Sequence, residues 1–180
     1  MVCNRCILVV RQELEKLHIE SSNITLGEVE VNNKITKEQI QEFSDNLSML
    51  GFEVLDNTKQ QLIEKIKNTV IKHVHYNEGD DEHHKFSDIL SKSLHKDYSY
   101  LSSLFSEVEG ITIEKYIINQ KIEKVKELLI YGELNLSEIS YQLGYSSVAH
   151  LSAQFKKVTG LTPSHFKQVG QNKRKPLDKV

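Results

Sequence analysis

Long apolar runs, cysteines and catalytic signatures are all scarce in this 180-residue chain, and each scarcity removes a class of function. No uncharged apolar run reaches the roughly 18 residues that crossing a bilayer takes. The segment from Met1 to Val10 is too short and wrongly flanked for a cleaved export signal, so a soluble, cytoplasmic protein is expected. The two cysteines, Cys3 and Cys6, are too few and too close to build a disulfide framework, which leaves a thiol pair that is kept reduced or bound to metal. Nothing resembles a nucleophile beside a base, a phosphate-cradling glycine loop or a paired acid and base, so binding rather than catalysis is expected.

Charge is nearly balanced overall, at −2, but it is unevenly placed. Residues 1 to 57 carry five Lys or Arg against ten Asp or Glu, whereas residues 145 to 180 carry seven against one. An acidic front and a basic back suggest that only the back meets a polyanion, because Lys and Arg that neutralise phosphates supply most non-specific nucleic-acid affinity. A solvated basic tail would give the same count. The length accommodates one full domain of about 100 to 150 residues and a smaller one.

A repeat carries the argument further. Shifted by fifty residues, Phe86-Ser87-Asp88-Ile89 falls on Leu136-Ser137-Glu138-Ile139, Leu101-Ser102 on Leu151-Ser152, Phe105 on Phe155, Val108 on Val158, Gly110 on Gly160, Ile111-Thr112 on Leu161-Thr162, and Tyr116 on Phe166. In the second copy Ser137 is expected to cap a short helix burying Ile139 and Leu143, which Gly144 ends with a tight turn. Ser146 or Ser147 caps the next helix, where Val148, Leu151, Phe155 and Val158 form one apolar stripe closed by Gly160. Thr162-Pro163 opens a further helix. The first copy lines its helices with Phe86, Ile89, Leu90 and Leu94, then Leu101, Leu104, Phe105 and Val108. Each copy reads as a helix-turn-helix. Between them Thr112 to Tyr131 reads as a helix of about 19 residues, roughly 28 Å long, against the roughly 34 Å between successive major-groove faces on one side of a duplex.

These residues resemble the DNA-binding domain of the AraC/XylS family of bacterial transcription regulators. The resemblance covers roughly residues 60 to 168 and is strongest in LSEISYQLGYSSVAHLSAQFKKVTGLTPSHF, residues 136 to 166, through Ile139, Leu143-Gly144-Tyr145, Phe155-Lys156-Lys157, Gly160 and Pro163. It implies an all-helical domain with two recognition helices. By position, Ala149, His150 and Ala153 would face bases, with Ser146, Ser147, Lys156 and Lys157 nearer the backbone. His150 could donate to a guanine or accept from an adenine, and the alanines could touch thymine methyls. The first recognition helix departs from the family pattern with Phe105-Ser106-Glu107-Val108-Glu109, and its exposed positions are expected to be Ser99, Ser102 and Ser103. Carboxylates repel phosphates, so the second copy and Lys173-Arg174-Lys175 are expected to carry most affinity, unless Glu107 and Glu109 face a protein partner. The partner implied is double-stranded DNA, with RNA polymerase or a second copy of the chain as further candidates and no membrane.

The front segment, opening on Met1-Val2-Cys3-Asn4-Arg5-Cys6, resembles the MxCxxC loop of heavy-metal-associated, ferredoxin-like domains. A helix carrying Ile7, Val10, Leu14 and Leu17, a strand over 24–31, a helix over 40–50 and a closing strand over 52–55 are expected, although the family's first strand is missing and only one strand separates the helices. Cys3 and Cys6 could hold Cu(I) or Zn(II), act as a redox pair or pack inertly. Thr58 to Tyr76 reads as a helix with Leu62, Ile63, Ile66, Val70 and Val74 inward. His73, His75, His83 and His84 form a second, weaker metal candidate beside the acidic run 77–82.

The fold expected is mainly α: an all-helical tandem helix-turn-helix DNA-binding domain over 58–170, preceded by a small α+β module over 1–57, ferredoxin-like and incomplete, and followed by a basic tail over 171–180. The function expected is sequence-specific transcription regulation, with the front module as a sensor or dimerisation surface. The competing reading is a metal-handling or thiol-redox protein whose helical half docks a partner.

Overall fold

The computed structural model describes residues 1, 3–32, 34–55, 58–76 and 85–169. Among them are nine helices and one two-stranded sheet, and the chain forms two compact units, Met1–Asn68 and Thr69–Val180. The basic run Lys173-Arg174-Lys175, His83 and His84 lie outside the described residues. No described helix is long and apolar enough to cross a membrane.

The first unit contains α1 (Asn4–Lys16), β1 (Ser21–Thr25), β2 (Glu28–Val31), α2 (Lys37–Met49) and the first part of α3 (Thr58–His75). The sequence placed the division before α3; the compact units divide within it, after Asn68. Val10, Leu14, Ile19 and Leu47 form the core, with Leu17, Phe43 and Phe52 packed against it. Two expected features are corrected. Residues 24–31 do not make one strand: Gly27, at φ +86, turns the chain so that β1 and β2 pair antiparallel, Thr25 opposite Glu28. Residues 52–55 are not a closing strand. Helix α2 ends in a Schellman motif, with Gly51 at φ +81, its N–H donating to the Ser48 carbonyl and that of Phe52 to the Leu47 carbonyl. The first donor of any such strand is therefore already used. One hairpin and no further described strand do not make a ferredoxin-like sheet, although the α+β character holds.

The second unit contains the end of α3, then α4 (Phe86–Leu94), α5 (Tyr98–Glu109), α6 (Ile113–Tyr131), α7 (Leu136–Gln142), α8 (Val148–Thr159) and α9 (Pro163–Val169). The fifty-residue repeat survives as geometry. Phe105 and Tyr116 stack with ring centroids 5.6 Å apart, and their equivalents Phe155 and Phe166 with centroids 5.5 Å apart. Gly110 and Gly160 close their helices at φ +70 and +77, and the hydroxyls of Thr112 and Thr162 accept from N–H groups three residues on. Three details differ from the sequence reading. The cap of α7 is Asn135, not Ser137: its side chain accepts from the N–H of Ser137 and Glu138, while the Glu138 carboxylate accepts from the Asn135 N–H at 2.7 Å. Val108 is exposed rather than core. The turn of the first copy has no glycine, since His95 takes the left-handed conformation at φ +51 where the second copy uses Gly144, one position earlier in the repeat.

The hairpin turn depends on one close approach. Asn68 Nδ2 donates to the buried Leu26 carbonyl at 2.9 Å, and a Cβ on Gly27 would lie 2.3 Å from that nitrogen. Gly51 also has positive φ but open space around it. Gly51→Ala is expected to cost about 1 kcal/mol for the left-handed backbone alone, and Gly27→Ala about 1–3 kcal/mol more, because displacing Asn68 leaves a buried carbonyl unpaired. Urea denaturation of both variants checks this; equal losses would mean that the Asn68 contact is expendable.

Candidate nucleic-acid interface

Helix α8 is placed by the turn before it. α7 ends in a second Schellman motif: Gly144, at φ +68, donates to the Tyr141 carbonyl and Tyr145 to the Ser140 carbonyl. Two residues later Ser147 caps α8, its hydroxyl accepting from the His150 N–H at 3.1 Å. Leu151 and Phe155 are fully buried on the inner face. Ala149, His150, Ala153, Lys156 and Lys157 are all exposed, at spacings of three and four that put them on one outer face, and Ser146 and Ser147 are exposed at its start.

His150 is oriented before any partner arrives. Its Nδ1 lies 3.0 Å from the Ser146 hydroxyl, and its ring stands edge-on to Tyr145 at 5.4 Å. Because the hydroxyl can donate or accept, it supports either tautomer, leaving Nε2 as a donor in one and an acceptor in the other.

The first copy is built alike but differs on its surface. On α5, Ser99 and Ser103 are exposed, whereas Ser102 is half-buried, like its equivalent Ser152. The exposed face instead includes Tyr100, 49% exposed, at the position equivalent to His150. Lys96, also exposed, stands where the second copy has Ser146. Neither was among the sequence candidates, and the fifty-residue shift was the signal that identifies both. Tyr98 donates its hydroxyl to the Glu114 carboxylate, tying the start of α5 to that of α6. Burial and then Glu114 push the Tyr98 hydroxyl above its ordinary range, and the bond holds Glu114 below its own.

Lys121 of α6 connects the two copies. Its Nζ donates to the Leu143 carbonyl at 2.7 Å and lies 5.5 Å from the Tyr145 ring centroid and 5.9 Å from that of Phe86. Burial pulls its pKa down, and burial pushes the Tyr145 hydroxyl up to about 12. That hydroxyl has no hydrogen-bond partner among the described groups. The histidines of α3 are occupied structurally: His75 Nε2 pairs with the Oε1 of buried Gln120 at 2.9 Å, and His73 stands edge-on to Phe86 at 6.2 Å. In the first unit the Cys3 and Cys6 sulfurs are 3.6 Å apart and not joined in a disulfide. Among the described residues no three His, Cys, Asp or Glu side chains form a metal-binding group.

Residues 90–168 match the family model of a helix-turn-helix domain. An uncharacterised HTH-type transcriptional regulator of Bacillus subtilis, YtdP, is 27% identical over 86% of this chain and 21% of its own length. The xylose operon regulatory protein of Escherichia coli K12 is 38% identical over 39% of this chain and 18% of its own. The chain thus spans about a fifth of the length of these curated relatives. In fold, the C-terminal domain of AraT, a response regulator from Geobacillus stearothermophilus, matches with a TM-score of 0.54 at 21% identity, over 66% of this chain and 95% of that one. The competing reading, a metal-handling or thiol protein with a docking domain, gains no support from these matches. Residues 90–168, which include α5, α8 and the helix between them, are a helix-turn-helix domain, and they share the fold of the AraT C-terminal domain.

Proposed function

We propose that this chain binds double-stranded DNA as a sequence-specific transcription regulator, placing α5 and α8 in two successive major grooves. The observation that carries the reading is the duplicated helix-turn-helix, held by the 19-residue α6, with an exposed recognition face on each copy. A helix of that length is about 28 Å long, commensurate with the roughly 34 Å between grooves on one side of the duplex.

The two helices contribute unequally. On α8, His150, Ala149 and Ala153 read base edges, the hydroxyls of Ser146 and Ser147 at the helix N-terminus approach one phosphate strand, and Lys156 and Lys157 approach backbone at the other end. On α5, Ser99 and Ser103 offer hydrogen bonds with Ser102 at the flank, and Tyr100 and Lys96 extend that surface. The repeat equivalents of Lys156 and Lys157 are Ser106 and Glu107, so α5 lacks the matching cations. DNA binding, not turnover, is the activity.

Selection from a random duplex pool tests the reading: an enriched motif of two half-sites about 10 base pairs apart is expected, and motif-free binding that vanishes with salt would refute it. Lys156→Ala is expected to weaken binding to all sequences and to flatten the slope of log affinity against log salt by about one. His150→Ala is expected to relax preference at one base pair, by about 1–3 kcal/mol of discrimination, with the salt slope unchanged. Lys121→Met keeps most of the apolar stem but loses the bond to Leu143. It is expected to broaden tolerance for half-site spacing, read by comparing duplexes with one base pair inserted between half-sites; an unchanged penalty would exclude a spacing role for Lys121.

A further inference from the structure

Helix α1 begins with a pair of sulfurs that DNA reading does not use. Cys3 is the N-cap and Cys6 the third helical residue. In this relationship an N-cap side chain folds back over the first turn toward the residue three further on, as Thr36 and Gln39 do at the start of α2. Cys3 has extended backbone, at φ −156 and ψ 169, and its side chain makes no capping hydrogen bond. Its sulfur instead faces that of Cys6 at 3.6 Å, while the Cys6 N–H donates to the Cys3 carbonyl at 3.0 Å. Both residues are half-buried, so small reagents reach them and the fold still orients them. Arg5 shares the turn, and no acidic residue does.

Metal binding and disulfide formation could both use such a pair, and the number of ligands separates a closed zinc site from a disulfide. A closed zinc site takes four ligands, and among the described residues no third His, Cys, Asp or Glu joins the two sulfurs. Disulfide formation needs only two. A disulfide of about 2.05 Å forms between Cα atoms about 4.4–6.8 Å apart, a range that includes residues separated by one helical turn. Closing the remaining gap requires side-chain rotation, not movement of α1.

We propose that Cys3 and Cys6 form a reversible redox pair, oxidised to an intramolecular disulfide by exchange with a low-molecular-weight disulfide such as oxidised glutathione. One cysteine, as thiolate, attacks the reagent's disulfide and expels one molecule of reduced thiol, which takes up the proton released. The second sulfur then attacks the protein sulfur of the mixed disulfide and expels the other thiol. The protein dithiol loses two electrons and two protons, and one reagent disulfide becomes two thiols. The resulting bond cross-links the first turn of the helix that supplies Val10 and Leu14 to the core. Because the folded chain already holds the sulfurs together, folding favours the disulfide and the disulfide favours folding. This inference is independent of the DNA-binding reading.

The full chain, equilibrated at several ratios of reduced to oxidised glutathione and then alkylated and weighed, gives the test. A single transition is expected, from a doubly alkylated form to an unalkylated form two hydrogens lighter than the unmodified reduced chain. The equilibrium constant for the disulfide is expected to be about tenfold or more above that of the same chain in urea, a difference of about 30 mV. Cys6→Ser is expected to retain glutathione on Cys3 as a stable mixed disulfide, with helix content by circular dichroism unchanged. An equal or lower equilibrium constant in the native chain, or glutathione adducts persisting on the unmutated protein, would overturn the proposal. Zinc or Cu(I) bound through both thiolates of the reduced chain and resisting exchange with oxidised glutathione would also overturn it, reassigning the pair to metal.

Discussion

The second unit depends on the burial of α6. Ile113, Tyr116 and Ile117 enter the core of the first helix-turn-helix, and Ile122, Val125 and Leu129 enter that of the second. Each buried side chain of this size contributes about 1.5–3 kcal/mol relative to exposure, and the same rigid helix collects both sets. Burial so nearly complete also traps polar groups. Gln120 is wholly buried, with its amide nitrogen donating to the Tyr116 hydroxyl at 3.1 Å and its oxygen meeting His75, and Lys126 pairs with Glu123 at 2.5 Å. Such groups are tolerable only when paired, since one left alone costs about 1–3 kcal/mol. The buried polar positions of α6 therefore constrain its packing: Glu123 and Lys126 satisfy each other within the helix, and Gln120 needs His75 of α3.

Around this helix the two copies conserve their interior and diverge on their surface. Leu101 and Leu151, Phe105 and Phe155, and Tyr116 and Phe166 occupy matching buried positions, and Gly110 and Gly160 match at the helix ends. Outside, Tyr100 replaces His150, Ser103 replaces Ala153, and Ser106 and Glu107 replace Lys156 and Lys157. Packing demands equal volume and shape at equivalent sites, whereas an exposed position tolerates a change of charge. The duplicated fold thereby carries a basic α8, with Lys156 and Lys157, and an acidic α5, with Glu107 and Glu109 and no Lys or Arg.

Much of this was legible in the sequence because the repeat reports interior and surface together. Leu151, Phe155, Gly160 and Thr162 take the expected roles, and the exposed face of α8 carries every residue proposed for it. The failures have local causes. Asn135 and Ser137 can both cap a helix, and only the reciprocal bond from Glu138 selects Asn135. Gly27 makes a hairpin of what alternation reads as one strand. Phe52 is drawn out of extended pairing by the end of α2. Ser102, expected to be exposed, is half-buried, whereas the repeat itself pairs exposed Tyr100 with His150. Lys121 was invisible because its partners, Phe86, Leu143 and Tyr145, lie far from it along the chain.

Lys121 also explains why a cation occupies the space between the two copies. α7 ends with unsatisfied carbonyls and the negative end of its dipole, and its C-cap carbonyl at Leu143 is the one that Lys121 binds. An apolar side chain of equal length would leave that carbonyl unpaired beside the turn. The aromatic faces of Tyr145 and Phe86 return part of the cost of desolvating the ammonium. The ring of Tyr145 in turn supports both Lys121 and the edge of His150. A chain of direct contacts therefore runs from the shared helix through Lys121 and Tyr145 to His150 on the exposed face of α8.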